Sequence, residues 1–143
     1  MDAAAVMKED VGRAAWPDMW GVDEKGAYFI AGRCARCRGL ALGLREVCPH
    51  CLASGTIKEE RIGREGMLYT ATVVHQLPHG FPTSYRIGYV DVGEGIRVFS
   101  HIDDGEGAPR IGDSVKLAIR PLKTADDGSL LNGPVFSVPH GGA

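Results

Sequence analysis

All four cysteines of the 143-residue chain fall in one short stretch, Cys34-Ala-Arg-Cys37 and, after ten intervening residues, Cys48-Pro-His-Cys51. Two such pairs, brought together by a short hairpin, can surround one ion with four thiolates at metal–sulfur distances of about 2.3 Å. Soft thiolates select zinc or iron. Disulfides would staple only this segment and leave the rest of the chain unconstrained. A rubredoxin-like iron centre would make an electron carrier, but no redox partner is hinted at elsewhere, so one structural Zn2+ is the expectation. A shell filled by four cysteines has no vacant position for water or substrate and does no chemistry of its own. His50 lies inside the second knuckle and reads as solvent-facing. Arg33, Arg36, Arg38 and Arg45 crowd the site and can balance the charge of the thiolates.

The cysteine segment holds little else to fold around. Leu40, Leu42, Leu44 and Val47 are its main apolar residues, too few to offset the ordering entropy of 18 residues at about 1–2 kcal/mol each. Metal binding has to supply the difference, and chelation is expected to unfold the segment. From Met67 onward the pattern alternates with period two, the mark of half-buried strands. It predicts strands at Met67–Gln76, Ile87–Val92, Ile96–Ile102, Ser114–Arg120 and Pro134–Val138, with a hairpin at Gly93-Glu94-Gly95. Five short strands joined by glycine-rich turns suit a small closed OB-fold barrel, with a small sandwich as the alternative. Ahead of the cysteines, Ala3, Met7, Val11 and Ala14 recur at helical spacing, which predicts a short helix over Asp2–Ala15, ended by Pro17. The expected fold is therefore mainly β: an N-terminal helix and docking segment (1–28), a rubredoxin-like zinc ribbon (29–60) and a five-stranded OB-fold barrel (61–143).

Composition narrows the function. Sixteen basic against 18 acidic residues give a net charge of −2, without the basic field that draws proteins onto phosphate backbones. No apolar run reaches the roughly 18 residues of a membrane span, and the acidic N-terminal stretch has no apolar leader core. A cytoplasmic protein is expected, with no membrane partner and with nucleic acid disfavoured. There is no G-x-S-x-G elbow, no phosphate loop and no dinucleotide fingerprint, and the metal claims every cysteine. The chain is not expected to be catalytic alone.

Contact with a partner is read from two segments. Both tryptophans, Trp16 and Trp20, lie within five residues beside Met19, and tryptophan is enriched at interface hot spots. The proline-punctuated loop His75–Ser84 carries His79 and Phe81, and in OB-type barrels the loop after the first strand commonly lines the binding face. Pro78 and Pro82 exclude a helix that would set His75 and His79 on one face for a metal. Trp16, Trp20, His79 and Phe81 are the candidate interface residues. Lys58, Arg61 and Arg64 form a modest basic patch between ribbon and barrel that could meet a phosphate. The turn Asp126-Asp127-Gly128 reads as solvated.

The combination resembles a family of small zinc-ribbon plus OB-fold proteins associated with acyl-CoA metabolism, partners of thiolase-like large subunits. The likeness rests on the cysteine ribbon, on Gly63 to Val74 leading into the first barrel strand, on Tyr85–Val92 followed by Glu94–Ser100 as the central hairpin, and on the turn Ile111 to Val115. It covers roughly residues 16 to 138. One departure is Arg38, where the family often has glycine directly after the second cysteine. The resemblance implies an accessory subunit of a hetero-oligomeric thiolase-type acyltransferase whose partner carries the catalytic residues, the small chain supporting assembly or acyl-CoA access. Aromatic-compound degradation is one setting the family implies. Alternatives are a stand-alone acyl-CoA-binding protein with Arg61 and Arg64 on the phosphates, and a single-stranded nucleic-acid binder stacking bases on Tyr69, Tyr85, Tyr89 and Phe99.

Overall fold

A computed structural model describes residues 13–81, 83–103 and 109–138. Ten strands run in chain order: β1 (Arg13–Ala14), β2 (Trp20–Asp23), β3 (Gly26–Cys34), β4 (Leu40–Leu42), β5 (Ile57–Ile62), β6 (Glu65–Val74), β7 (Tyr85–Gly93), β8 (Ile96–Ile102), β9 (Ser114–Thr124) and β10 (Leu130–Ser137).

Strands β6 to β10 form a closed barrel. Antiparallel pairs join β6 to β7 and β7 to β8, β8 runs parallel to β10, and β9 closes the ring by pairing antiparallel with both β10 and β6. Five strands closed in this order are the OB-fold arrangement that the alternating sequence predicts, and the open sandwich alternative falls away. The alternation is visible in β8, where Val98, Ser100 and Ile102 are buried while Arg97 and Phe99 face outward. The β6–β7 register shifts between Leu68 and Thr70, a bulge that bends the strand around the barrel. Opposite it, a side chain on Gly88 would run into the Thr70 carbonyl oxygen, so glycine lets these backbones approach.

The second sheet is built on β3, which pairs antiparallel with β2, β4 and β5. Its β2–β3 end packs on the barrel. Trp20, Val22, Ala27 and Phe29 share one buried core with Leu68, Val90, Val98, Val115, Leu117 and Phe136. Its far end carries the cysteines.

The structure corrects the expected N-terminal helix. No helix occurs among the described residues, and Arg13–Ala14, the end of the proposed helical stretch, pairs in parallel with Leu131 and Asn132 of β10. A strand partner supplied by the barrel outweighs a weak apolar periodicity; the rest of that stretch, through residue 12, lies outside the described residues. No helix among the described residues is long and apolar enough to cross a membrane.

Candidate metal centre and aromatic face

The four cysteines converge at the tip of the second sheet. Their sulfurs lie within 4.8 Å of one another, with Cys34 Sγ 3.7 Å from Cys51 Sγ and Cys37 Sγ 3.6 Å from Cys48 Sγ. Each knuckle turns its backbone N–H groups onto sulfur. The amides of Arg36 and Cys37 donate to Cys34 Sγ, that of Gly39 to Cys37 Sγ, and those of His50 and Cys51 to Cys48 Sγ. The Thr56 hydroxyl lies 3.2 Å from Cys34 Sγ.

These donors favour thiolate. The Thr56 hydroxyl, aided by backbone amides, lowers Cys34 to about 6, and the amides of Cys51 and His50 lower Cys48 against the cost of burial. Cys37 moves the other way: the Gly39 amide favours its thiolate, but burial and the neighbouring sulfurs outweigh it and push the thiol up to about 11. Four sulfurs this close cannot all ionise without a cation, and the donor set fits a metal ion with a closed tetrahedral shell.

The residue after each second cysteine, Arg38 (φ +67°) and Leu52 (φ +65°), sits in the left-handed region, as each knuckle requires. Arg38 takes this left-handed conformation without being glycine, so the departure at this position leaves the turn intact. Its carbonyl accepts from Arg33 Nη1 at 2.8 Å. Arg33 also pairs with Glu60 at 3.0 Å and with Glu94 of the β7–β8 turn at 2.7 Å, linking the metal tip to the barrel. His50 is exposed, its Nε2 3.2 Å from the Leu40 carbonyl oxygen.

The candidate interface residues separate in space. Trp20 is 7% exposed, its indole N–H donating to the Ala15 carbonyl at 2.6 Å; it belongs to the core. Trp16 is 45% exposed and has φ +52°, a strained conformation for a bulky residue. It stacks on His101 at 6.2 Å between ring centroids. Phe81 stacks on Tyr85 at 4.6 Å and on His101 at 5.7 Å, with Tyr85 4.9 Å from His101. Lys123 Nζ lies 5.9 Å from the ring centroids of both Trp16 and Phe81. His79 stands apart, fully outward, bonded to Asp126 at 2.9 Å.

His101 was not among the sequence-derived candidates, and Tyr85 was one only as a base-stacking residue. The alternation of β8 could have found His101, since it shares the outward phase of Arg97 and Phe99. Burial in this cluster lowers the pKa of His101, so its ring is neutral at pH 7.

The two arginines of the basic patch are already paired. Asp23 accepts from Arg64 at 2.6 and 2.7 Å and from Arg61 at 2.9 Å, and both guanidinium groups lie over the Tyr28 ring. The Arg64 and Arg61 bonds hold the Asp23 carboxyl well below the usual range. Phosphate at Arg61 and Arg64 would have to displace this carboxylate. Of the proposed base-stacking residues, Tyr69, Tyr89 and Phe99 are exposed, but Arg97 covers Tyr69 at 3.4 Å and is itself paired with Asp91 at 2.6 Å.

A four-cysteine ribbon with the geometry of a metal site, joined to an OB-fold barrel, defines the class. Residues 59–120 match the family described as ChsH2, C-terminal OB-fold domain. A DUF35 domain-containing scaffold protein of Methanocaldococcus jannaschii is 32% identical over 117 residues, 78% of this chain and 83% of the relative. The chain belongs to the DUF35 family. Benzoylsuccinyl-CoA thiolase subunit BbsA of Thauera aromatica is 27% identical over 106 residues, covering 74% of this chain and 73% of that one. Among solved structures, the Ltp2-ChsH2(DUF35) aldolase is similar with a TM-score of 0.59 and 27% identity, over 78% of this chain and 84% of the other.

Proposed function

We propose that this chain is a noncatalytic, zinc-binding accessory subunit of a thiolase-type acyl-CoA acyltransferase complex. The observation that carries the reading is the closed four-sulfur cluster on a barrel whose relatives include subunits named for a thiolase and for an aldolase complex. A saturated metal shell stabilises a surface and leaves acyl transfer to a partner with its own nucleophile. In this reading Cys34, Cys37, Cys48 and Cys51 hold one Zn2+, residues 29–60 are the ribbon and 61–143 the barrel. The segment through residue 28 docks the partner.

The docking surface uses Trp16 and Phe81, with His79 at its rim and Trp20 holding the segment from beneath. Exposed aromatic rings clustered around a strained backbone have the character of interface hot spots. The acyl-CoA then reaches the complex through the large subunit, in the cytoplasm.

Native purification with mass spectrometry of co-eluting chains tests the assignment. A stoichiometric thiolase-like subunit is expected, and a solitary chain overturns it. Trp16→Ala with Phe81→Ala should weaken the complex by roughly tenfold or more, the hot-spot range, and an unchanged affinity rejects the surface. Elemental analysis should return one zinc per chain; a coloured iron protein would refute the metal.

A further inference from the structure

Two neighbouring concavities meet at His101. One, of about 320 Å³, is lined by Trp16, Met19, Trp20, Phe29, Ile87, Phe99 and Pro134, with Ser100 and His101 as its polar members. That volume suits a ring or a short chain. The other, of about 450 Å³, is an open groove that carries Arg86 and Arg120 with Ser84, Tyr85 and Asp103, and His101 lines it too. Arg120 is exposed, and its Nη1 donates to the Ile119 carbonyl at 3.1 Å. In a chain of net charge −2, an apolar slot that shares His101 with a groove lined by the exposed Arg120, by Arg86 and, among the described residues, by one aspartate is complementary to an anion with an apolar body.

We propose that this paired site binds a hydrophobic carboxylate, its aryl or alkyl body in the Trp16–Phe99 slot and its carboxylate toward Arg120. The site belongs to the isolated chain and stands whether or not a thiolase partner exists. A neutral His101 suits the dividing wall, because it adds no charge to the apolar side and can still hydrogen-bond a carboxylate oxygen. Arginine matches a carboxylate in a planar, two-bonded geometry.

Both tryptophans of the chain line the slot, so intrinsic fluorescence reports its occupancy. The full-length protein is titrated with 4-phenylbutyrate, with its neutral amide and with acetate, and calorimetry provides the second readout. The acid should bind saturably, roughly tenfold or more tighter than the amide, a difference of about 1.4 kcal/mol, and acetate should be weaker still. Arg120→Gln should bring the acid to the affinity of the amide. Phe99→Ala, at an exposed position that leaves the core intact, should weaken acid and amide alike. Equal binding of acid and amide, no saturable binding, or an acid-to-amide ratio unchanged in Arg120→Gln would each overturn the site. Co-purification of a partner reads the proposed function separately from any of these results.

Discussion

Stripping the proposed zinc should open the tip of the second sheet while leaving the barrel closed. Between Cys34 and Thr56 the buried side chains are Cys34, Cys48 and Ala53, whereas Leu44, Val47 and Leu52 are exposed, the last by 75%. Three small buried side chains bring a few kcal/mol at about 0.8 kcal/mol per buried CH2. A structural zinc brings about 10 kcal/mol. Losing the larger contribution shifts the opening equilibrium by roughly 10^7-fold at about 1.4 kcal/mol per decade, enough to remove all native protection from the tip. Hydrogen exchange with peptide-level mass spectrometry, with and without a strong chelator, makes the measurement. The amides of Arg38, Cys48, Leu52 and Gly55, bonded to carbonyls of the tip, and those bonded to sulfur should exchange as fast as in an unfolded peptide. Amides of the β6–β8 ladder should keep their protection. If elemental analysis shows the metal gone and the tip amides remain protected, the metal is not what folds the ribbon.

Phe136→Ala, at a fully buried ring tilted against Phe29, should cost about 3–5 kcal/mol in urea unfolding, while Phe99→Ala on the outer face should change stability by less than about 1 kcal/mol. Gly88→Ala should destabilise the barrel, because the added methyl meets the Thr70 carbonyl oxygen; a urea midpoint equal to that of the parent would refute the close approach. Burial lowers the pKa of His101, so the folded state takes up its proton later than the unfolded state does. The corresponding stability is full above about pH 6.5 and falls as pH drops through the ordinary histidine range toward the lower folded value. His101→Gln should flatten the pH dependence of the urea midpoint in that window; an unchanged slope would place the titration elsewhere.

The parts of this fold that were legible are those whose cause is local. Paired cysteines two residues apart announce knuckles because the turn and the ligands occupy the same four residues. Strand β8 falls on its expected residues, Ile96–Ile102, because one of its faces is buried and the other wet. Strand β3 is harder to read: its sequence GAYFIAGRC is buried on both faces over much of its length, so no alternation marks it. The Asp2–Ala15 periodicity misled at its described end because β10, more than a hundred residues away, decides what Arg13 and Ala14 do. Trp16 and Trp20 look equivalent in sequence. The alternation of β2 takes Trp20 and Val22 inward, and Trp16 lies outside that strand. The cluster of Phe81, Tyr85 and His101 depends on β7 and β8 lying side by side, and the neutralisation of Arg61 and Arg64 on an aspartate some 40 residues earlier. Neither leaves a local mark.

The core shared between the two sheets bears on how such a protein can be rebuilt. Because Trp20, Val22, Ala27 and Phe29 are buried in one core with Leu68, Val90 and Phe136, the ribbon is not a cartridge that can be cut out and grafted onto another barrel. A graft must carry those four side chains and a host interior shaped to receive them. Residues 44–45, between the Gly43 amide bonded to the Ile30 carbonyl and the Val47–Ser54 bridge, are free of that constraint, and lengthening there is the change the architecture tolerates best. A one-residue insertion inside β2 would turn Trp20 and Val22 to opposite faces and leave the barrel partly hollow. Variation within this architecture is thus channelled to the metal tip, while its base is held by the barrel it completes.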